Sequence, residues 1–193
     1  MRPDSFAQFV SLACHDLRTP LATVSGFAHT LRQNDLGQPA DRYVEMIQAA
    51  SGQIADILDD LGLAARIEGG RYAPNVAEAG TLELAQAAAD RLGEKASVVG
   101  TGAEVLVDRD ATERGLAALA RCALRHGGLE QVELTAEGAV VVISPVLENV
   151  GPIILGEDMK DLGAAAARRL VEATGGSVEL EGERLLVGLP RSS

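Results

Sequence analysis

Apolar positions in the first third of the chain recur at alternating steps of four and three. Val10, Cys14, Leu17, Leu21, Val24, Ala28 and Leu31 fall on one stripe of a helix, and the spacing predicts a single long helix over residues 5 to 34. The segment "NDLGQPAD" then supplies a turn, with Gly37 as a stop and Pro39 near the first position of the next helix. A second stripe, Tyr43, Ile47, Ala50, Ile54, Ile57, Leu61 and Ala64, predicts a partner helix over residues 39 to 67. Joined by so short a turn, the two helices make an antiparallel hairpin. Two helices alone bury only part of such stripes, and a second copy of the chain covers the rest as a four-helix bundle about a twofold axis. A homodimer is expected.

After "RIEGGRYAPN", which contains the Gly and Pro of a linker, the texture changes. Helical patterns at 81 to 95, 110 to 126 and 161 to 174 alternate with strand patterns near 103 to 107, at 131 to 136 and at 139 to 144. The stretch "SVELEGERLLVGLP" closes the chain as a β-hairpin. The fold class is therefore α+β: a helical hairpin domain over residues 1–68, then a domain over 69–193 in which helices cover a sheet.

Composition and charge narrow the partners. With 193 residues, 47% of them hydrophobic, the chain can bury a real core. No stretch approaches the roughly 18 uninterrupted apolar residues of a membrane span, and the N-terminus lacks a signal-peptide layout. A cytoplasmic protein, or the cytoplasmic part of a longer one, is expected, without membrane insertion. A net charge of −11 with no Lys/Arg cluster opposes nucleic-acid binding. Cys14 and Cys122 lie far apart in helical stretches with no CxxC or Cys/His ligand spacing, so both are expected to be small buried hydrophobes, and no disulfide or metal site is expected. His29 and His126 are isolated in sequence and are expected to be structural or solvated.

One short segment carries chemistry. In "ACHDLRTPLATVSG", His15 follows the stripe residue Cys14, which places it at the flank of the bundle and in reach of solvent. Pro20 has no amide hydrogen to donate to the carbonyl of residue 16 and should bend the helix just beyond His15. Asp16 can accept a hydrogen bond from one imidazole nitrogen and so leave a lone pair on the other. Such an imidazole is a nucleophile.

"HDLRTPL" at 15 to 21 resembles the H-box of two-component histidine kinases, H-[DE]-x-[KR]-[ST]-P-[LIVM], at every defined position. The resemblance implies a dimerisation and histidine phosphotransfer domain, with His15 as phosphoryl acceptor and Asp16 as its general-base neighbour. It further implies that Asp16 and Thr19, as a [DE]-x-x-[TN] pair, position the water that removes phosphate from a response-regulator receiver domain. The C-terminal half resembles the ATP-binding domain of the same family: "CALRHG" stands where "NALRHG" is usual, and "ARRLVEATGGSVEL" is similar to the helix and strand after its second glycine box.

The nucleotide chemistry, however, departs from that pattern. The asparagine that holds magnesium in the family corresponds to Cys122, its companion one turn earlier to Ala118, and the usual acid to Arg121. A thiol and a methyl are poor ligands for a hard cation. No D-x-G-x-G follows "VVVIS", and Asp161 in "DLGA" stands where a glycine would let phosphates approach a helix N-terminus. The connection from Pro145 to Asp161 is short for an ATP lid. No cofactor is expected, with ATP and Mg2+ binding absent or weak. Three readings follow: a histidine phosphotransferase exchanging phosphate between His15 and receiver aspartates, a sensor histidine kinase with a divergent ATP site, or a non-enzymatic scaffold.

Overall fold

The computed structural model describes residues 3–33 and 39–192. Helix α1 spans Pro3–Gln33 and α2 spans Pro39–Glu68, matching the two periodic stripes; the turn expected at Gly37 lies outside the described residues. Pro39 opens α2, where its missing N–H costs no helical bond. Asp41 in the first turn and Arg66 in the last complement the helix dipole. Helix α1 runs on through Pro20, which is buried.

The hairpin sorts the stripe residues. Ala50 and Ala64 of the second stripe are buried, as is Ala13, the neighbour of the stripe residue Cys14, and Phe27 stacks on Tyr43 with ring centroids 5.3 Å apart. Cys14, Leu21 and Ala28, each seven residues from the next, remain exposed, Leu21 by 57%. The expectation that Cys14 is buried is thus corrected. A helical stripe is wider than one helix–helix contact, and residues seven apart form a line along its uncovered edge.

Contacts divide the chain into two compact units, Met1–Gly62 and Leu63–Ser193, so the last turns of α2 belong to the second. That unit continues with β1 (Val76–Gly80), α3 (Thr81–Asp90), β2 (Ala96–Gly102), β3 (Glu104–Asp108) and α4 (Arg109–Gly127). It ends with β4 (Val132–Gly138), β5 (Val140–Ser144), the short α5 (Gly151–Ile154), α6 (Leu162–Ala173), β6 (Ser177–Glu181) and β7 (Arg184–Gly188). Strands in the order β2-β4-β5-β7-β6 form one sheet, parallel between β2 and β4 and antiparallel elsewhere, while β1 and β3 pair separately. Helices α3, α4 and α6 pack on one another and on the sheet around a core that includes Leu84, Leu119, Leu134 and Ile143.

The period-2 rule holds in β4, where Val132, Leu134 and Ala136 are buried and the residues between them are not, and in β7, where Leu185 and Val187 alternate with less buried neighbours. Three details differ from the sequence expectation. The helix expected over 81 to 95 stops at Asp90, because Gly93 takes a left-handed φ of 63° and starts a short 3-10 turn. Strand β2 lies at the sheet edge, where its two glycines break the apolar alternation. Strand β1, "VAEAG", buries Ala79 alone and, apart from the exposed Val76, lacks the branched and aromatic residues that mark strands.

Candidate functional site

On α1, His15 is solvent-facing, its side chain 76% exposed, and its Nδ1 lies 3.1 Å from Oδ1 of Asp16. A carboxylate only accepts, so Nδ1–H donates, and in the neutral form of the ring Nε2 then carries the lone pair on the side away from Asp16. Asp16 is itself less exposed, its side chain at 29%. Thr19, one turn on, is exposed, and its carbonyl accepts the hydroxyl of Thr23 at 3.0 Å. Pro20 deprives the Asp16 carbonyl of its i+4 donor, so backbone polarity remains on the turn that carries the pair. The structure therefore brings His15 and Asp16 into contact and sets Thr19 one turn away on exposed helix surface. His29 is also exposed.

A second cluster lies in the α/β unit, at the positions matching the nucleotide site of the resembling family. Asp161 is the N-cap of α6: its Oδ1 accepts the N–H of Ala164 at 3.0 Å. Its Oδ2 accepts from Nη2 of Arg125 at 2.5 Å and meets Nε2 of His126 at 3.1 Å. Cys122, one turn before His126 on α4, is fully buried against the same carboxylate. Burial pushes the Cys122 thiol well above its usual pKa, and the negative charge of Asp161 adds to the effect. Asp161 is 6% exposed, yet every polar atom of its side chain is met.

These residues do not fit a magnesium–nucleotide pair. A protonated, buried thiol stands where a hard oxygen ligand is needed, and at the start of α6, where a phosphate would have to sit, the Ala164 N–H is already taken by the carboxylate of Asp161. The segment before α6 is likewise filled: Val150, Ile153 and Ile154 are buried in the core, and α5 is held by tight backbone turns.

The sequence reading missed this cluster. His126, expected to be isolated, contacts Asp161, and Cys122-x-x-x-His126 on one helix is a ligand spacing after all. The i, i+4 step was the available signal; Asp161 is joined to it only by the packing of α4 on α6.

The family model of the His Kinase A (phospho-acceptor) domain matches residues 7–70. Histidine protein kinase DivJ of Caulobacter vibrioides is 30% identical over 189 residues, covering 88% of this chain and 31% of DivJ. The chain thus spans about a third of that relative. The fold is similar to that of the Acinetobacter baumannii histidine kinase AdeS, with a TM-score of 0.68 and 18% identity over 93% of this chain and 98% of that one. It is also similar to the ATP binding domain of PrrB from Mycobacterium tuberculosis, with a TM-score of 0.50 and 22% identity over 62% of this chain and 99% of that one.

Proposed function

We propose, from the premise that this chain belongs to the two-component histidine kinase family, that it is a histidine phosphotransferase which no longer uses ATP. One contrast carries the reading: the His15–Asp16 pair is intact and open to solvent, whereas a buried, fully paired carboxylate heads α6 where a nucleotide phosphate would have to sit.

In the proposed reaction Nε2 of His15 attacks the phosphorus of a receiver phosphoaspartate. The N–P bond forms as the acyl-phosphate P–O bond breaks, and the receiver carboxylate departs with the electron pair. Asp16 holds Nδ1–H and balances the positive charge that develops on the ring. Reversal returns the phosphoryl group to a receiver, so the same pair serves either direction. Thr19, with a hydroxyl but no nucleophile, assists hydrolysis of the receiver phosphate by orienting water. Two hairpins pairing along the exposed line of Cys14, Leu21 and Ala28 would complete a homodimeric bundle.

The relationship to DivJ favours a second reading, an ATP-dependent sensor histidine kinase with a divergent nucleotide site. The two differ in the source of phosphate. Within the phosphotransferase reading, His15→Ala abolishes transfer from a phosphorylated receiver, and Thr19→Ala slows net loss of receiver phosphate while leaving transfer intact. Equal impairment of transfer by both substitutions would refute this division of labour.

A further inference from the structure

Cys122, His126 and Asp161 offer one sulfur, one imidazole nitrogen and one carboxylate oxygen, all within 4.8 Å of one another. We propose that these three side chains form a binding site for a thiophilic divalent cation of the zinc class, tying α4 to the start of α6. Two of the ligands stand four residues apart on α4 and so share a face, one turn apart. The third is fixed by its own backbone contact, the Asp161 cap on Ala164, which uses Oδ1 and leaves Oδ2 to ligate.

The dimensions suit a small tetrahedral ion. Bonds of about 2.0–2.3 Å to zinc place neighbouring ligand atoms roughly 3.3–3.8 Å apart. His126 Nε2 and Asp161 Oδ2 already lie 3.1 Å apart, and the widest separation, within 4.8 Å, closes by about 1 Å through side-chain rotation. A sulfur–nitrogen–oxygen set selects zinc or cobalt over magnesium and calcium, which take oxygen. Three ligands leave one position for water or an external donor. His126, with its side chain 23% exposed, provides the way in to the buried Cys122 and Asp161.

Charge and protons balance without oxidation. Binding releases the Cys122 proton, and the imidazole ligates through Nε2 with its remaining proton on Nδ1. The thiolate and the carboxylate then neutralise the dication. Arg125, which pairs with Asp161 when no metal is bound, is displaced; its side chain is 57% exposed, so it can turn to water. Arg125 is therefore a competitor of the metal, which a merely structural ion pair would not be.

Titration with Co2+ tests the site on the full chain carrying Cys14→Ser, because Cys14 is an exposed thiol that could bind cobalt by itself. The expected result is a saturable, one-to-one absorbance spectrum with thiolate-to-cobalt charge transfer and tetrahedral bands, erased by Zn2+. Added Cys122→Ser removes the charge-transfer band. His126→Gln, at a partly exposed position, weakens binding by at least ~100-fold in the folded protein, since loss of a mere supporting contact already costs 10–100-fold. Arg125→Ala tightens it several-fold. A cobalt spectrum without thiolate charge transfer in a folded Cys14→Ser protein would overturn the proposal, as would a band that survives Cys122→Ser or weaker binding in Arg125→Ala.

Discussion

Replacing Asp161 by alanine removes the cap of α6 and the acceptor for Arg125 and His126 in one step. The cap is worth about 1 kcal/mol. The partly buried His126 loses a hydrogen bond to a charged group, worth roughly 1.5 kcal/mol. Arg125 contributes little, because its half-exposed guanidinium is rehydrated when the partner goes. The sum is about 2–3 kcal/mol, which at roughly 2–4 °C per kcal/mol lowers the melting temperature of the unit by about 5–10 °C. Asp161→Asn separates the contributions: its amide oxygen still accepts from Ala164, so the cap survives and the loss falls to about 1 kcal/mol. Thermal and urea melts of the full chain, followed by circular dichroism, read both. An alanine variant melting with the unchanged protein would refute the account of Asp161, and an asparagine variant as unstable as alanine would refute the weight given to the cap.

Tyr72, whose hydroxyl donates to Asp108 at 3.2 Å, has its pKa pushed up to about 12, by burial first and by the Asp108 charge second. A folded pKa raised above the unfolded value near 10 gives stability that is complete below pH 10 and is lost as pH rises toward 12; denaturant melts across this window should decline, and Tyr72→Phe should flatten that decline. Gly100 has a φ of 102°, and a Cβ there would lie 2.3 Å from the Ala136 carbonyl oxygen, so Gly100→Ala should cost at least about 2 kcal/mol by urea melt. Ile54→Asp, on the α2 stripe, should convert a homodimer to monomer by light scattering, and a concentration-independent monomer before mutation would remove the basis for the proposed bundle.

What could be read from the chain follows from how local each signal is. The hairpin was legible because seven-residue spacing of Leu17, Val24 and Leu31 is set by the helix itself, and the motif around His15 lies within one segment. Strand β4 was legible from its alternation, whereas β1 and β2 are strands chiefly because β3 and β4 pair with them. Cys14 was misread because periodicity gives the side of a helix but not which part of it a neighbour covers. That an acid at 161 stands where the resembling family has a glycine can be read from the segment "DLGA". That the carboxylate is buried, capping α6 and meeting Arg125, His126 and Cys122, depends on the packing of α4 on α6 across 35 residues or more, which no local pattern encodes.

In the proposed reaction His15 takes its phosphate from a receiver and not from ATP. The direct measurement incubates the chain in parallel with a radiolabelled phosphorylated receiver domain and with radiolabelled ATP and Mg2+, then quantifies acid-labile phosphate on the chain, with His15→Ala as the control. The account predicts label from the receiver alone, and none in His15→Ala. Acid-labile label acquired from ATP at His15 would contradict it and establish the kinase reading in its place.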